Sequence, residues 1–450
     1  MSDVEPEARS EPMPRTDPEL IPGGTVAADR GRPGPAANWL LVLAFVHLCV
    51  VSLFTYLPQV LHQVSAGTVA RMPRLGDLEF YLFRVPREAL YVVLLGCVVF
   101  GFARGGGPRL TRTTLALLVG AVTWVAICFA HTVFVRELPP VVPLLGLKSF
   151  QASLYLAAGV LLAWRGGDAL LLRFADWLRW YVLVIVVTGL AQVPFGAGKS
   201  TVFGVRALGP FSNYNAFGGA LFACALWFLC ARIARHRVDA SWRYLGWILL
   251  CAATSLTTGS RAGIIVNLLV VAAAWFVRFR GRWLRILWIA LSALMVAILP
   301  FLLTNRALTG KDPIRSSEKR LEAALEVVDR LSEPSAFVFG GGLGLFSKAP
   351  VVLFGRDAFP GQMGGPYSTY LEVAGSFGVP GLLAFLAFMA VSVVRGRRPE
   401  ALLTVGIVGI YGVQSNLCSN FPVDGLVLLL WGHLLFGPGD PKTGVEHAAT

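Results

Sequence analysis

Apolar runs of roughly 17–25 residues dominate the chain, each long enough to cross a bilayer as a helix. Short polar connections separate them. In hydrocarbon a backbone must satisfy its own hydrogen bonds, so runs of this kind fold as helices packed side by side. Composition agrees, since 55% of the 450 residues are hydrophobic and only 14% are charged, against about 25% charged in a soluble domain. The expected class is therefore an all-α integral membrane protein with about twelve transmembrane helices. Their approximate positions are 39–60, 88–103, 113–131, 147–164, 177–195, 214–233, 243–258, 262–278, 284–304, 370–394, 400–417 and 422–437.

Charge orients these spans. Alternate connections hold Arg104, Arg109 and Arg112, then Arg165 and Arg173, then Arg232, Arg235 and Arg237, then Arg278, Arg280 and Arg282, and finally Arg395, Arg397 and Arg398. With twelve spans all of these fall on one side, which the positive-inside bias marks as cytoplasmic. Both termini are then cytoplasmic, and 195–213, 258–261 and 305–369 face outward. The formal charge of +13 is explained by these connections meeting anionic lipid, so no nucleic-acid partner is expected.

The expected organisation is a disordered cytoplasmic tail (1–37), nine helices (38–304), a long periplasmic loop (305–369), three more helices (370–438) and a short cytoplasmic tail (439–450). The first tail is rich in Pro, Glu, Asp and Arg and has too few large apolar residues to bury a core. It is also too long and acidic for a signal peptide, so the first apolar run reads as an uncleaved helix in a multi-pass plasma-membrane protein. The seven cysteines lie in or beside apolar runs without a CxxC pair, which predicts buried thiols and no metal site.

Within the long loop, Asp312-Pro313 predicts a helix start. Leu321, Ala324, Leu325 and Val328 follow at helical spacing, and charged residues fill the other faces. This is an amphipathic helix lying over the bundle or along the membrane interface. Phe339 to Phe346 then reads FGGGLGLF. A loop of this length is more often functional than accidental.

Two outward-side arginines carry the strongest functional signal. Arg206 stands in a turn rich in Gly and Asn, where snorkelling to lipid headgroups is the simpler alternative to ligand binding. Arg261 opens a helix on the outward side, against both the positive-inside bias and the helix dipole, and a bound anion offsets that placement.

Four stretches, in order, resemble the O-antigen ligase and Wzy-type polymerase superfamily of bacterial envelope enzymes. They are GVRALGPFSNYNAFG, LTTGSRAGII (with Ala262 in place of the usual Gly), EKRLEAALEVVDRLSEPSAFVFGGGLGLF and PYSTYLEVAGSFGVPGLLAF. The resemblance spans roughly 200–395 and implies a GT-C-like glycosyltransferase of the bacterial inner membrane. Such an enzyme takes a glycan from undecaprenyl diphosphate at the periplasmic face, without a cofactor. A polymerase passes the glycan to another lipid-linked repeat unit and a ligase passes it to lipid A core. The ligase branch carries an outward histidine; here none lies between 305 and 430, which favours the polymerase. A transporter of lipid-linked glycans is the rival from another class, but it would show inverted repeats and midplane helix breaks. Partners implied are the lipid-linked oligosaccharide, membrane lipids and a chain-length regulator.

Negative charge develops on the leaving diphosphate, so the resemblance assigns Arg206 and Arg261 to that group. Arg320 is a third candidate, its alternative being a solvated helix face. Asn213 and Asn215 either bind phosphate or sugar or cap the next helix. Gly342 and Gly344, with Gly340 and Gly341, either admit a ligand to the backbone or form a flexible turn. Glu372 is the candidate general base, with Asp424 as its competitor and a structural carboxylate as the alternative for both. Tyr367 is a candidate substrate contact that also suits a membrane interface.

Overall fold

A computed structural model describes residues 35–55, 78–104, 112–194, 199–201, 204–211, 214–236, 243–278, 313–346, 368–395, 399–414 and 421–436. Residues 1–34 of the expected first tail, the expected last tail, the expected span 284–304, Asn213 and Tyr367 lie outside those residues, while 35–37, expected in the tail, are the first turn of a helix. Among the described residues the chain is α-helical apart from one small β-ribbon. Four helices are long and apolar enough to cross a membrane: Pro35–Thr55, Arg84–Ala103, Tyr214–Ala234 and Thr369–Ser392. Five shorter apolar helices accompany them.

In chain order the elements are α1 (Pro35–Thr55, containing a π-turn over Val46–Val50), α2 (Leu78–Ala103), α3 (Arg112–Ala130) and α4 (Val141–Ser149). Next come α5 (Ser153–Gln192), β1 (Lys199–Thr201), β2 (Gly204–Arg206), α6 (Tyr214–His236), α7 (Arg243–Thr258) and α8 (Arg261–Arg278). The last are α9 (Pro313–Leu331), α10 (Pro334–Phe339), α11 (Thr369–Arg395), α12 (Pro399–Gln414) and α13 (Val423–Phe436).

Helix α6 is the hub. Every side chain from Ala216 to Ala231 is buried, because small residues on several faces let neighbours approach closely. Gly218 meets Gly263 of α8, where each would place a Cβ within 3.4 Å of the other's Cα. Gly219 meets Tyr411 of α12 and Val423 of α13. On the opposite flank, a Cβ on Gly159 would clash with the backbone of Leu429, and one on Gly432 with the backbone of Leu156. Glycines on both helices thus bring α5 and α13 into backbone contact.

Two sequence expectations are sharpened. The spans 147–164 and 177–195 are two helical lengths of α5 that meet at a kink at Gly167, without the expected loop holding Arg165 and Arg173, and α4 is a separate short helix before them. Gly167 takes φ 49° and ψ −143°, so the chain turns on one glycine and needs no loop. In α9, Leu321, Leu325 and Val328 are exposed, and Val327, on a neighbouring face, is the buried residue. Val327 packs with Leu138, Val142, Leu345 and Phe346. The glycine-rich turn beneath α9 therefore sets its rotation, and the apolar stripe faces away from the bundle.

Candidate functional site

The site grows from the two ends of the α7–α8 turn. Ser260 caps α8 by accepting the Gly263 N–H at 3.3 Å, an interaction that typically contributes about 1 kcal/mol. Its own hydroxyl donates to Asn215 Oδ1 at 3.0 Å, tying the start of α6 to the start of α8. Asn215 is thus engaged as a helix-to-helix tie, a use beyond either cap or ligand.

Arg206 ends β2, whose register with β1 places Lys199 opposite it. The segment after it is held by Gln192, which donates from Nε2 to Gly209 O at 2.6 Å and accepts the Leu208 N–H at 2.8 Å. The Ala207 N–H donates to Thr257 O at 3.1 Å. These bonds lay Arg206 across the α7–α8 turn. Gly259 there has φ +59°, and a Cβ on it would stand 2.8 Å from Arg206 Nε. Glycine is required twice over, for the left-handed backbone and for the space. The guanidinium carbon lies 5.1 Å from the centre of the Tyr214 ring, a cation–π distance.

Arg206 is only 6% exposed, and its Nη2 is buried without a hydrogen-bond partner among the described residues. Burial draws its pKa below the ordinary arginine value, with the Tyr214 hydroxyl acting the other way. The charges of Arg320 and Arg206 both repel the Arg261 guanidinium. The three arginines singled out from separate parts of the sequence are therefore within electrostatic reach at Arg261. Like charges brought together at one place need a common reason, and a multivalent anion supplies one.

Glu372, Gly342 and Gly344 belong to other elements. Glu372 is wholly buried in the first turn of α11, and the contacts described around Arg206 do not include it. Gly342 and Gly344 have φ 137° and 97° and are buried. A Cβ on Gly344 would clash with the Val142 backbone, and one on Gly342 would press on Leu345. The Leu343 N–H donates to Thr132 Oγ1 at 2.9 Å. Packing against α4 accounts for Gly344 and packing within the turn for Gly342, so both glycines stand in a closely packed turn.

Sequence reasoning missed Tyr214 and Gln192, which position Arg206. Tyr214 lies inside the quoted Asn-Tyr-Asn stretch, so a signal was present; Gln192 ends a different apolar run and gave none. A second polar cluster was also missed. His47 Nδ1 shares a hydrogen bond with the Tyr155 hydroxyl, and its ring lies 5.4 Å from that of Phe421. Arg87 covers the other part of Phe421 at 5.1 Å and pairs with Glu88, which also pairs with Lys148 at 3.0 Å. Asp424 is buried beside them and accepts the Gly425 N–H at 2.7 Å. Both clusters occupy one end of the bundle, because Gly218 abuts Ser260 while the adjacent Gly219 abuts Val423.

No protein-family model matches the chain, and no curated protein matches it.

Proposed function

We propose that the protein is a membrane glycosyltransferase that polymerises undecaprenyl-diphosphate-linked repeat units at the periplasmic face of the bacterial inner membrane. The observation that carries the reading is that Arg206 Nη2 is buried without a hydrogen-bond partner among the described residues, with Arg261 within electrostatic reach of both Arg206 and Arg320. Breaking the bond between the anomeric carbon and the diphosphate builds charge on the leaving oxygen. Guanidinium groups already fixed at that point stabilise it without reorganising. Arginine fits this role because it stays charged and presents a planar fork to phosphate. The acceptor hydroxyl of the next repeat unit then attacks the anomeric carbon and loses its proton to a base, for which Glu372 is the candidate.

Polymerase rather than ligase is favoured by the lack of any histidine between 305 and 430. Enzyme rather than transporter is favoured by the gathering of the unusual residues at one end of the bundle.

The test is complementation of a deletion strain in the native host, read as the length ladder of the surface polysaccharide. Arg261→Ala should insert at normal levels yet give only single repeat units, and Arg261→Lys should restore part of the ladder. A normal ladder from Arg261→Ala would overturn the assignment.

A further inference from the structure

The far end of the bundle holds a groove that the proposed reaction does not use. It lies between α1, α2 and α5 and encloses about 330 Å3. Leu40, Phe100 and Leu161 form its apolar wall, Trp39 stands at its rim, and Arg104 and Arg165 lie along it. Among the described residues no acidic side chain lines it. The Arg104 guanidinium carbon rests 4.1 Å from the centre of the Phe100 ring. Arg165 Nη2 donates to Gly101 O at 3.4 Å. Both cations are thus parked on the last turn of α2, one residue apart in their supports, with an apolar slot running away from them.

This is the shape and charge of a phospholipid: an anionic head beside a hydrocarbon tail. Bulk headgroups alone would explain arginines reaching outward to water. They do not explain two guanidinium groups gathered at the mouth of one apolar slot. Charge complementarity selects an anionic headgroup, since each cation gains from a negative lipid and a guanidinium fork fits a phosphate. We propose that the groove seats one anionic phospholipid, its acyl chain along Leu40, Phe100 and Leu161 and its phosphate between Arg104 and Arg165.

The experiment uses the full chain, reconstituted in phosphatidylcholine vesicles with or without phosphatidylglycerol and then analysed by native mass spectrometry after gentle detergent release. Wild type should retain one phosphatidylglycerol in preference to phosphatidylcholine. The double variant Arg104→Gln/Arg165→Gln should hold it about 30-fold more weakly, the loss that two headgroup-facing cations imply. Cys97 also lines the groove and is exposed, so Cys97→Trp fills the slot without touching either arginine or the buried core. It should abolish retention too. Arg173 lies at the same end outside the groove, bonded to Asn38, and Arg173→Gln should change nothing. Unchanged retention in the double variant, equal retention of the two lipids, or an equal loss from Arg173→Gln would each overturn the proposal.

Discussion

Around His47 charges of both signs pair off, whereas among the described residues Arg261 feels the like charges of Arg206 and Arg320. Arg87, Glu88 and Lys148 form a chain in which the carboxylate lies between two cations. His47 and Tyr155 complete it with a shared hydrogen bond. Such a cluster is compensated from within the protein and fixes how α1, α2, α5 and α13 meet. The arginine cluster has the opposite logic. Arg320 and Arg206 raise the electrostatic cost of Arg261, and Arg206 holds a buried donor nitrogen without an acceptor among the described residues. Both clusters occupy one end of one bundle. Charged residues in a membrane protein are therefore better sorted by what balances them than by depth. Internal balance points to architecture, and surplus of one sign points to a ligand.

If that distinction holds, removing a surplus arginine should cost activity and little stability. Arg206→Ala is expected to lower polymer output by about 10²–10³-fold, the effect of losing one fixed donor at a developing charge. Its unfolding midpoint in detergent should move little, because a neighbouring like-charge repulsion is relieved. A collapse in stability with output per folded molecule retained would make Arg206 architectural and break the comparison. A smaller effect is expected from Gly259→Ala. The new Cβ meets Arg206 Nε and displaces the guanidinium, for which a loss of about 10- to 100-fold follows from misplacing a catalytic group by about 1 Å. The left-handed backbone at Gly259 adds roughly 1–2 kcal/mol of destabilisation, measurable as a lower midpoint. Output equal to wild type would show that Arg206 need not lie on this turn.

Much of this was legible before any coordinates. Apolar length located most helices within a few residues, as for 243–258, because a span must satisfy a fixed thickness. Arg261 stood out because it violated a rule of placement, and Arg206 because it stands in a turn rich in Gly and Asn rather than in a basic cluster. What sequence could not show is pairing across distance. Gln192 reaches Leu208 and Gly209 through the fold, and nothing about a glutamine ending an apolar run announces that contact. The rotation of α9 was open for a similar reason. Its apolar stripe suited the bundle and the membrane interface alike; Leu321, Leu325 and Val328 prove exposed, and Val327 is buried against Leu345 and Phe346 of the Gly-rich turn. Gly342 and Gly344 show the same limit, because a glycine spared for a ligand and one spared for a neighbouring backbone look alike in a sequence.

The compensated cluster makes the converse prediction. Glu88→Ala leaves Arg87 and Lys148 facing each other without their shared carboxylate, and should cost about 1–3 kcal/mol in stability. Output per folded molecule should stay at the wild-type value. A large loss of output at full stability would move this cluster into the working site and erase the contrast with Arg206.

The weakest effect belongs to an ion pair that is balanced but exposed. Arg136 donates to Glu333 at 2.7 Å, and Ser335 donates to the same carboxylate at 2.7 Å. These bonds, the Ser335 hydroxyl first and the Arg136 guanidinium next, hold the Glu333 pKa below the ordinary glutamate value. Because the folded-state pKa is the lower one, the stabilisation is fully present above the ordinary value near 4.3. It is lost as pH falls through the depressed folded value. Hydrogen exchange at the amides of α10, corrected for intrinsic rate, should therefore quicken slightly below about pH 4 in wild type but not in Glu333→Gln. Added salt should shrink even that difference at neutral pH, since water screens an exposed pair. A salt-independent, strongly cooperative loosening would place this pair with the His47 cluster, and balance without burial would then suffice to build the fold.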